Sequence, residues 1–148
     1  MGAVTLTEEF LKSDPPAAEE MRAMSAFIRR QLQTVVARVG QQSELVGIGG
    51  TISALLALLR KNEGGDPRDF DRSPVSFETI SALSIHLSLK TVAERERMGL
   101  EKGRADIITG GSWILSAAMS HLEAPALRAS AHGLRHGLLI EMASARDR

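Results

Sequence analysis

The stretch "LVGIGGTISALLALLR", Leu45 to Arg60, constrains the fold more than any other part of this chain. A short apolar run ends at a glycine pair, and a helical pattern with Leu55, Leu58 and Leu59 on one face follows at once. The period changes there from that of a strand to that of an amphipathic helix. Such a strand–turn–helix unit has to lay its helix on a sheet, which directs the chain to an α/β fold. The apolar residues of "ELVGI" do not strictly alternate, as expected of a short strand buried on both faces. Thr51 stands where it can cap the helix.

The flanking segments extend this reading. In "GAVTLTEEF", Val4 and Leu6 alternate with Thr5 and Thr7, a strand pattern. "SDPPAAEE" places Asp14 as an N-cap, Pro15 in a first turn that tolerates proline, and Glu19 and Glu20 at the positive end of a helix dipole. Met21, Met24, Ile28, Leu32, Val35 and Val39 then form one apolar stripe, predicting a long helix from Ala17 to Val39 that ends at Gly40. "KNEGGDPRDFDRSP" reads as a polar loop. Ser76 opens a helix with Ile80, Leu83 and Leu87 inward. "TVAE", Thr91 to Glu94, is a capping box that starts a short charged helix through Met98. Within it, Glu94, Arg95, Glu96 and Arg97 read as a solvated face with weak ion pairs.

Arg104 to Leu122 reads as one long helix, with Gly110 and Gly111 weakening it but letting it lie close to a neighbour. "ALRAS" is a strand after Pro125, and "GLRHGLLIEMASA" a last helix. The expected order is strand, helix, strand, helices, strand, helix, a parallel sheet with few strands for so much helix. A sheet lacking strands has an open edge that invites pairing, so a homodimer is expected.

Composition narrows the function. With 148 residues the chain suits one domain able to bury a core. Lys plus Arg and Asp plus Glu both number 18, so no field draws in a nucleic acid. Aromatic residues are 3% and tyrosine is absent, so a platform for stacking bases is not expected. No apolar run approaches the ~20 residues that span a bilayer, and no secretory signal precedes the first strand, so no membrane is expected. Cysteine is absent, which excludes disulfides and thiolate chemistry and fits a reducing cytoplasm.

Few residues carry candidate chemistry. Gly49, Gly50 and Thr51 lie at the carboxyl end of a strand, where ligands of open α/β sheets bind. Glycine lets backbone amides approach an anion, and the helix N-terminus favours negative charge. The same turn also serves as a tight connection, and it contains neither a Walker loop nor a dinucleotide fingerprint. Arg104 reads, from its place alone, as a charge at a helix start. Asp106 pairs with it or caps a helix, and Arg135 near a helix start reads as structural. His132 and His136 are four apart, but "HGLRH" holds no glutamate and offers no third ligand, so zinc is not favoured. His86 and His121 read as surface or boundary residues.

Three stretches, "LVGIGGTISALLALL", "ERERMGLEKGRADIITGGSWIL" and "SAHGLRHGLL", resemble successive signatures of the Ppx/GppA family, the exopolyphosphatases and guanosine pentaphosphate phosphohydrolases. "GAVTLTEEFLKSDPP" is similar to the segment before them. The resemblance implies the actin-like fold of two ribonuclease-H-type domains facing a cleft, with residues 1–148 as most of the second domain. The first domain, with its phosphate loop and the glutamate thought to activate water, would then be absent, as would the first strands of the second, with their D-x-G-G-G-S loop. It implies Mg2+ for the complete enzyme, with none bound by this chain alone, and inorganic polyphosphate or a phosphorylated small molecule as ligand. No catalytic residue carries over. Gly49, Gly50 and Thr51 match the motif lining the cleft, and Arg104 matches an arginine able to face the phosphate chain. The last motif departs from the family: His136 stands where glutamate is common.

Overall fold

The computed structural model describes residues 1–36, 45–62, 74–130 and 133–146. Among them are eight helices and three short strands. In chain order these are α1 (Ala3–Phe10), α2 (Ala18–Val36), β1 (Val46–Ile48), α3 (Gly50–Asn62), β2 (Val75–Ser76) and α4 (Phe77–Ser88), followed by α5 (Val92–Met98), α6 (Lys102–Ala105), α7 (Ile108–His121), β3 (Ala126–Ser130) and α8 (Leu134–Arg146). The class is α/β, as expected. Among the described residues no helix is long and apolar enough to cross a membrane.

The sheet differs from the expected parallel one. Its order is β1-β3-β2. β1 runs parallel to β3, with Gly47 opposite Ala129, but β2 runs antiparallel to it, with Val75 opposite Leu127. β2 has only two residues, too few for any periodicity to announce it. The expected first strand is a helix instead. Ala3, Leu6, Thr7 and Phe10 recur at helical spacing as well as Val4 and Leu6 alternate. Packing decides between the two patterns: Leu6 is fully buried while Val4 is half exposed. β1 is also not covered on both faces. Gly47 is buried, but Val46 and Ile48 remain 54% and 53% exposed, so the helices cover one face only.

Two clusters form the core. Leu55, Leu58, Ile80, Leu83, Leu87, Ile108 and Leu127 make the larger, beneath the sheet. Leu6, Met24, Ile28 and Leu32 make the second, with Trp113 and Ile114 against them. The stripe of α2 is therefore core as far as Leu32; Val39 and the polar loop at 63–73 lie outside the described residues, as does His132.

Helix α7 joins the clusters, packing on α1, α2, α3 and α4. The long helix expected from Arg104 to Leu122 is broken: α6 is a single turn, residues 106–107 form a turn, and α7 starts at Ile108. In α7, Gly110 faces the Ala3 carbonyl, 3.0 Å from where a Cβ would stand, and Gly111 faces Thr51. A glycine pair costs helix propensity, but here it lets the backbone of α1 and the Thr51 side chain of α3 come close.

The capping groups are arranged differently from the expectation at one end. Asp14 does not cap α2. Its carboxylate accepts the Val92 amide of α5 at 2.9 Å, linking residues far apart in the chain. Glu20 serves α2 instead, accepting the Ala17 amide at 2.9 Å, and this bond leads in holding its pKa below the usual value. The capping box at α5 is present. Glu94 accepts the Thr91 amide at 2.8 Å, and Thr91 Oγ1 accepts the Glu94 amide at 3.2 Å. The Thr91 backbone bond is the first cause of a lowered Glu94 pKa.

That lowering sets a pH dependence. A carboxylate depressed in the folded state stabilises above its unfolded pKa, and the contribution is lost as pH falls through the folded value. The difference in Tm between the wild-type chain and Glu94→Gln is expected to be constant above about pH 5.5. It should shrink below the ordinary carboxylate value of 4.5 as Glu94 protonates. Thermal melts followed by circular dichroism from about pH 3 to about pH 7, which brackets that titration, check this.

Candidate functional site

β1 ends at Ile48, and the chain turns into α3 through Gly49, whose φ of +103° lies in the left-handed region that favours glycine. Gly49 is the residue that caps α3. Its carbonyl accepts the Ser53 amide at 3.1 Å and the Ser53 hydroxyl at 3.2 Å. Thr51, expected as the cap, is already in the first turn. The amides of Gly50, Thr51 and Ile52 precede the first intrahelical bond and have no acceptor among the described residues. A helix N-terminus of this kind offers N–H groups and partial positive charge together.

The second element arrives from α6. A Cβ added to Gly50 would stand 2.4 Å from Arg104 Nη2 and 2.6 Å from Cζ, so the guanidinium lies directly against the Gly50 backbone. Arg104 is half-buried, and its guanidinium has no hydrogen-bond or ion-pair partner among the described residues. Gly49, Gly50 and Arg104, chosen from sequence, therefore come together in space. Thr51 joins them through its backbone only. Its side chain is turned into α7, where a Cβ on Gly111 would meet Oγ1 at 2.5 Å.

A cavity of about 530 Å³ opens beside this point. Gly50, Ser53, Ala57 and Lys61 of α3 line one wall, and Leu100, Glu101 and Arg104 the other. Lys61 went unnoticed in the sequence. It is held there by the Met98 carbonyl, which accepts from Nζ at 3.0 Å. Gly99, with φ +115°, ends α5 beside it. The cavity thus has a cation at each end of a floor of small and apolar side chains. Among the described residues no three His, Asp or Glu side chains gather in a way that could hold a metal ion.

Arg95 was misread. It is 2% exposed, not part of a solvated face. The signal was available, since Val92, Arg95 and Met98 share one side of α5 and the outer two are partly buried against the core. Arg135 and His136 stand in the first turn of α8. His86 is exposed and His121 half-buried, as expected of surface and boundary residues.

The close approach at Gly111 makes a prediction. Gly111→Ala gains about 1 kcal/mol of helix propensity but forces a methyl group into Thr51, an overpacking that costs about 1–3 kcal/mol. A net loss of about 1 kcal/mol is expected, whereas Gly103→Ala, which meets nothing within 4 Å, should be neutral or stabilising. Urea unfolding of the two variants beside the wild-type chain separates these outcomes.

The chain is 27% identical over 150 residues to Exopolyphosphatase 2 of Mycobacterium tuberculosis, covering 97% of this chain and 47% of that protein. It superimposes on the crystal structure of the Aquifex aeolicus Ppx/GppA family member with TM-score 0.86 and 29% identity, over 99% of this chain and 48% of that one. The type II variant of the Aquifex aeolicus Ppx/GppA phosphatase gives TM-score 0.83 and 31% identity, over 95% and 46%. The chain spans about half the length of the relatives it matches. The model of the Ppx/GppA phosphatase family matches residues 1–146, and the chain belongs to that family.

Proposed function

We propose that this chain forms one wall of the phosphate-binding cleft of a phosphoanhydride hydrolase acting on inorganic polyphosphate or guanosine pentaphosphate. The observation that carries the reading is the Arg104 guanidinium, unpaired among the described residues, lying against Gly50 at the N-terminus of α3. Amides of Gly50 and Thr51 and the fork of Arg104 converge there, the donor set that phosphate oxygens require.

The reaction of such a hydrolase is in-line attack of water on a terminal phosphoryl group: a new P–O bond forms and the bridging P–O bond breaks. In this proposal the chain's residues bind and orient phosphate oxygens and take no proton. Among the described residues no carboxylate lies at the turn to act as base, and Glu101 stands at the cavity wall. The family resemblance implies Mg2+, but the described carboxylates do not gather to hold it, so no step is assigned to it. The chain corresponds, in this reading, to most of the second domain of a two-domain core, incomplete in its ribonuclease-H-like sheet. Coverage of about half of each relative supports that, as does the exposed face of β1. A cytoplasmic setting belongs to the same proposal, consistent with the absence of cysteine.

A second reading, a binding module that acts as a homodimer without catalysis, draws support from a different observation. Leu138, Leu139, Ile140 and Met142 of α8 are each more than half exposed, alongside Val46 and Ile48. A helix that leaves this many large apolar side chains exposed is a candidate interaction surface. Analytical ultracentrifugation is expected to show a concentration-dependent dimer if a second copy covers them; a monomer throughout favours the remainder of a longer hydrolase as the cover.

The binding test is isothermal titration calorimetry with inorganic tripolyphosphate. Arg104→Ala should weaken binding about tenfold or more, the loss of a charge-assisted pair worth about 1.5–3 kcal/mol. Phosphate release by the chain alone should stay at the buffer rate. Undiminished binding by the variant, or metal-dependent hydrolysis by the chain alone, would count against the reading.

A further inference from the structure

Arg95 is a buried cation that phosphate binding does not use. Its Nε–H donates to the Leu87 carbonyl at 3.0 Å and its Nη1–H to the Ala105 carbonyl at 2.9 Å. Nη2 is buried without a partner among the described residues. Burial lowers its pKa, and the carboxylates of Asp14, Asp106 and Glu94 act the other way. Burying a guanidinium is costly unless its charge and donors are matched, and an apolar side chain would pack at this place without that penalty.

The acceptors explain what the charge secures. Leu87 belongs to the last turn of α4; its carbonyl accepts the Lys90 amide at 3.2 Å and has a second lone pair for Arg95. Ala105 ends α6, a single turn of four residues that cannot hold its own shape. Arg95 therefore ties α6 to the end of α4 across the body of α5. Arg104 is the residue joined to Ala105, and its guanidinium reaches Gly50.

We propose that Arg95 is a positioning residue for the phosphate site: by holding the Ala105 carbonyl it fixes α6, and so sets Arg104 against Gly50. The proposal rests on Arg104 as a phosphate ligand. Arg95 itself touches no ligand.

The test is a double-mutant cycle with tripolyphosphate as the probe, using Arg95→Lys, Arg104→Ala and both together, each titrated well below its Tm. Lysine keeps the charge and loses the fork. Arg95→Lys should weaken binding about tenfold in the wild-type background and have no further effect once Arg104 is gone. Equal weakening in both backgrounds, or none in the wild-type background, overturns the proposal. Arg95→Met, apolar and of similar reach, takes its place if the lysine variant does not fold. Hydrogen exchange over residues 102–107 reads the positioning itself. Faster exchange in the Arg95 variant is expected, and unchanged protection overturns the proposal. Should Arg104→Ala bind as the wild type does, the phosphate reading fails on that arm alone, while the exchange arm still decides whether Arg95 holds α6.

Discussion

The arrangement turns on two bare positions in α7. Gly110 and Gly111 have no side chains to hold other helices away, so α1 comes against one and the first turn of α3 against the other. Helix α7 also carries the contacts with α2 and α4, and thus connects both hydrophobic clusters. The position of the Gly49–Thr51 turn follows from this. Its helix is pinned at Thr51 by α7, its strand by β3, and the left-handed Gly49 makes the corner between them. The amides of Gly50, Thr51 and Ile52 have no acceptor among the described residues.

The other half of the site combines core packing with directed polar bonds. The segment from Thr91 to Ala105 gives Leu100 and Ala105 to the larger cluster, with Val92 and Met98 against it. Asp14 and the Thr91–Glu94 box satisfy the N-terminus of α5, Gly99 ends it, and Arg95 binds the neighbouring turn from inside. Each of these bonds is worth about 0.5–3 kcal/mol. Their greater effect is geometric: α6 has only four residues, and beside the burial of Ala105 these bonds set how it presents Arg104.

Much of this was legible from the sequence, for definable reasons. Helices α2 and α4 were readable because their apolar stripes persist over several turns, and α5 because its capping box is a local hydrogen-bond pattern. The glycine turn was readable because an apolar run, a glycine pair and an amphipathic run meet there. What failed depended on distant partners. Val4 and Leu6 fit a strand until α7 offers a surface for a helix. Asp14 fits the cap of α2 until Val92, 78 positions on, presents a free amide. Lys61 acquires its place from Met98, 37 residues away. Arg95 was hidden because charge ordinarily signals solvent, and its two backbone acceptors, with the nearby carboxylates of Asp14, Asp106 and Glu94, make its burial tolerable. Gly49, Gly50 and Arg104 came from sequence pattern and family resemblance, and their meeting in space is a matter of tertiary structure.

The central claim is that phosphate oxygens are received by the amides at the start of α3. It is tested most directly by nitrogen-15 NMR of the chain titrated with tripolyphosphate. The account predicts saturable shifts largest at the amides of Gly50, Thr51 and Ile52, accompanied by the side-chain Nε–H of Arg104. Shifts concentrated elsewhere, with these amides unmoved at saturation, would contradict it.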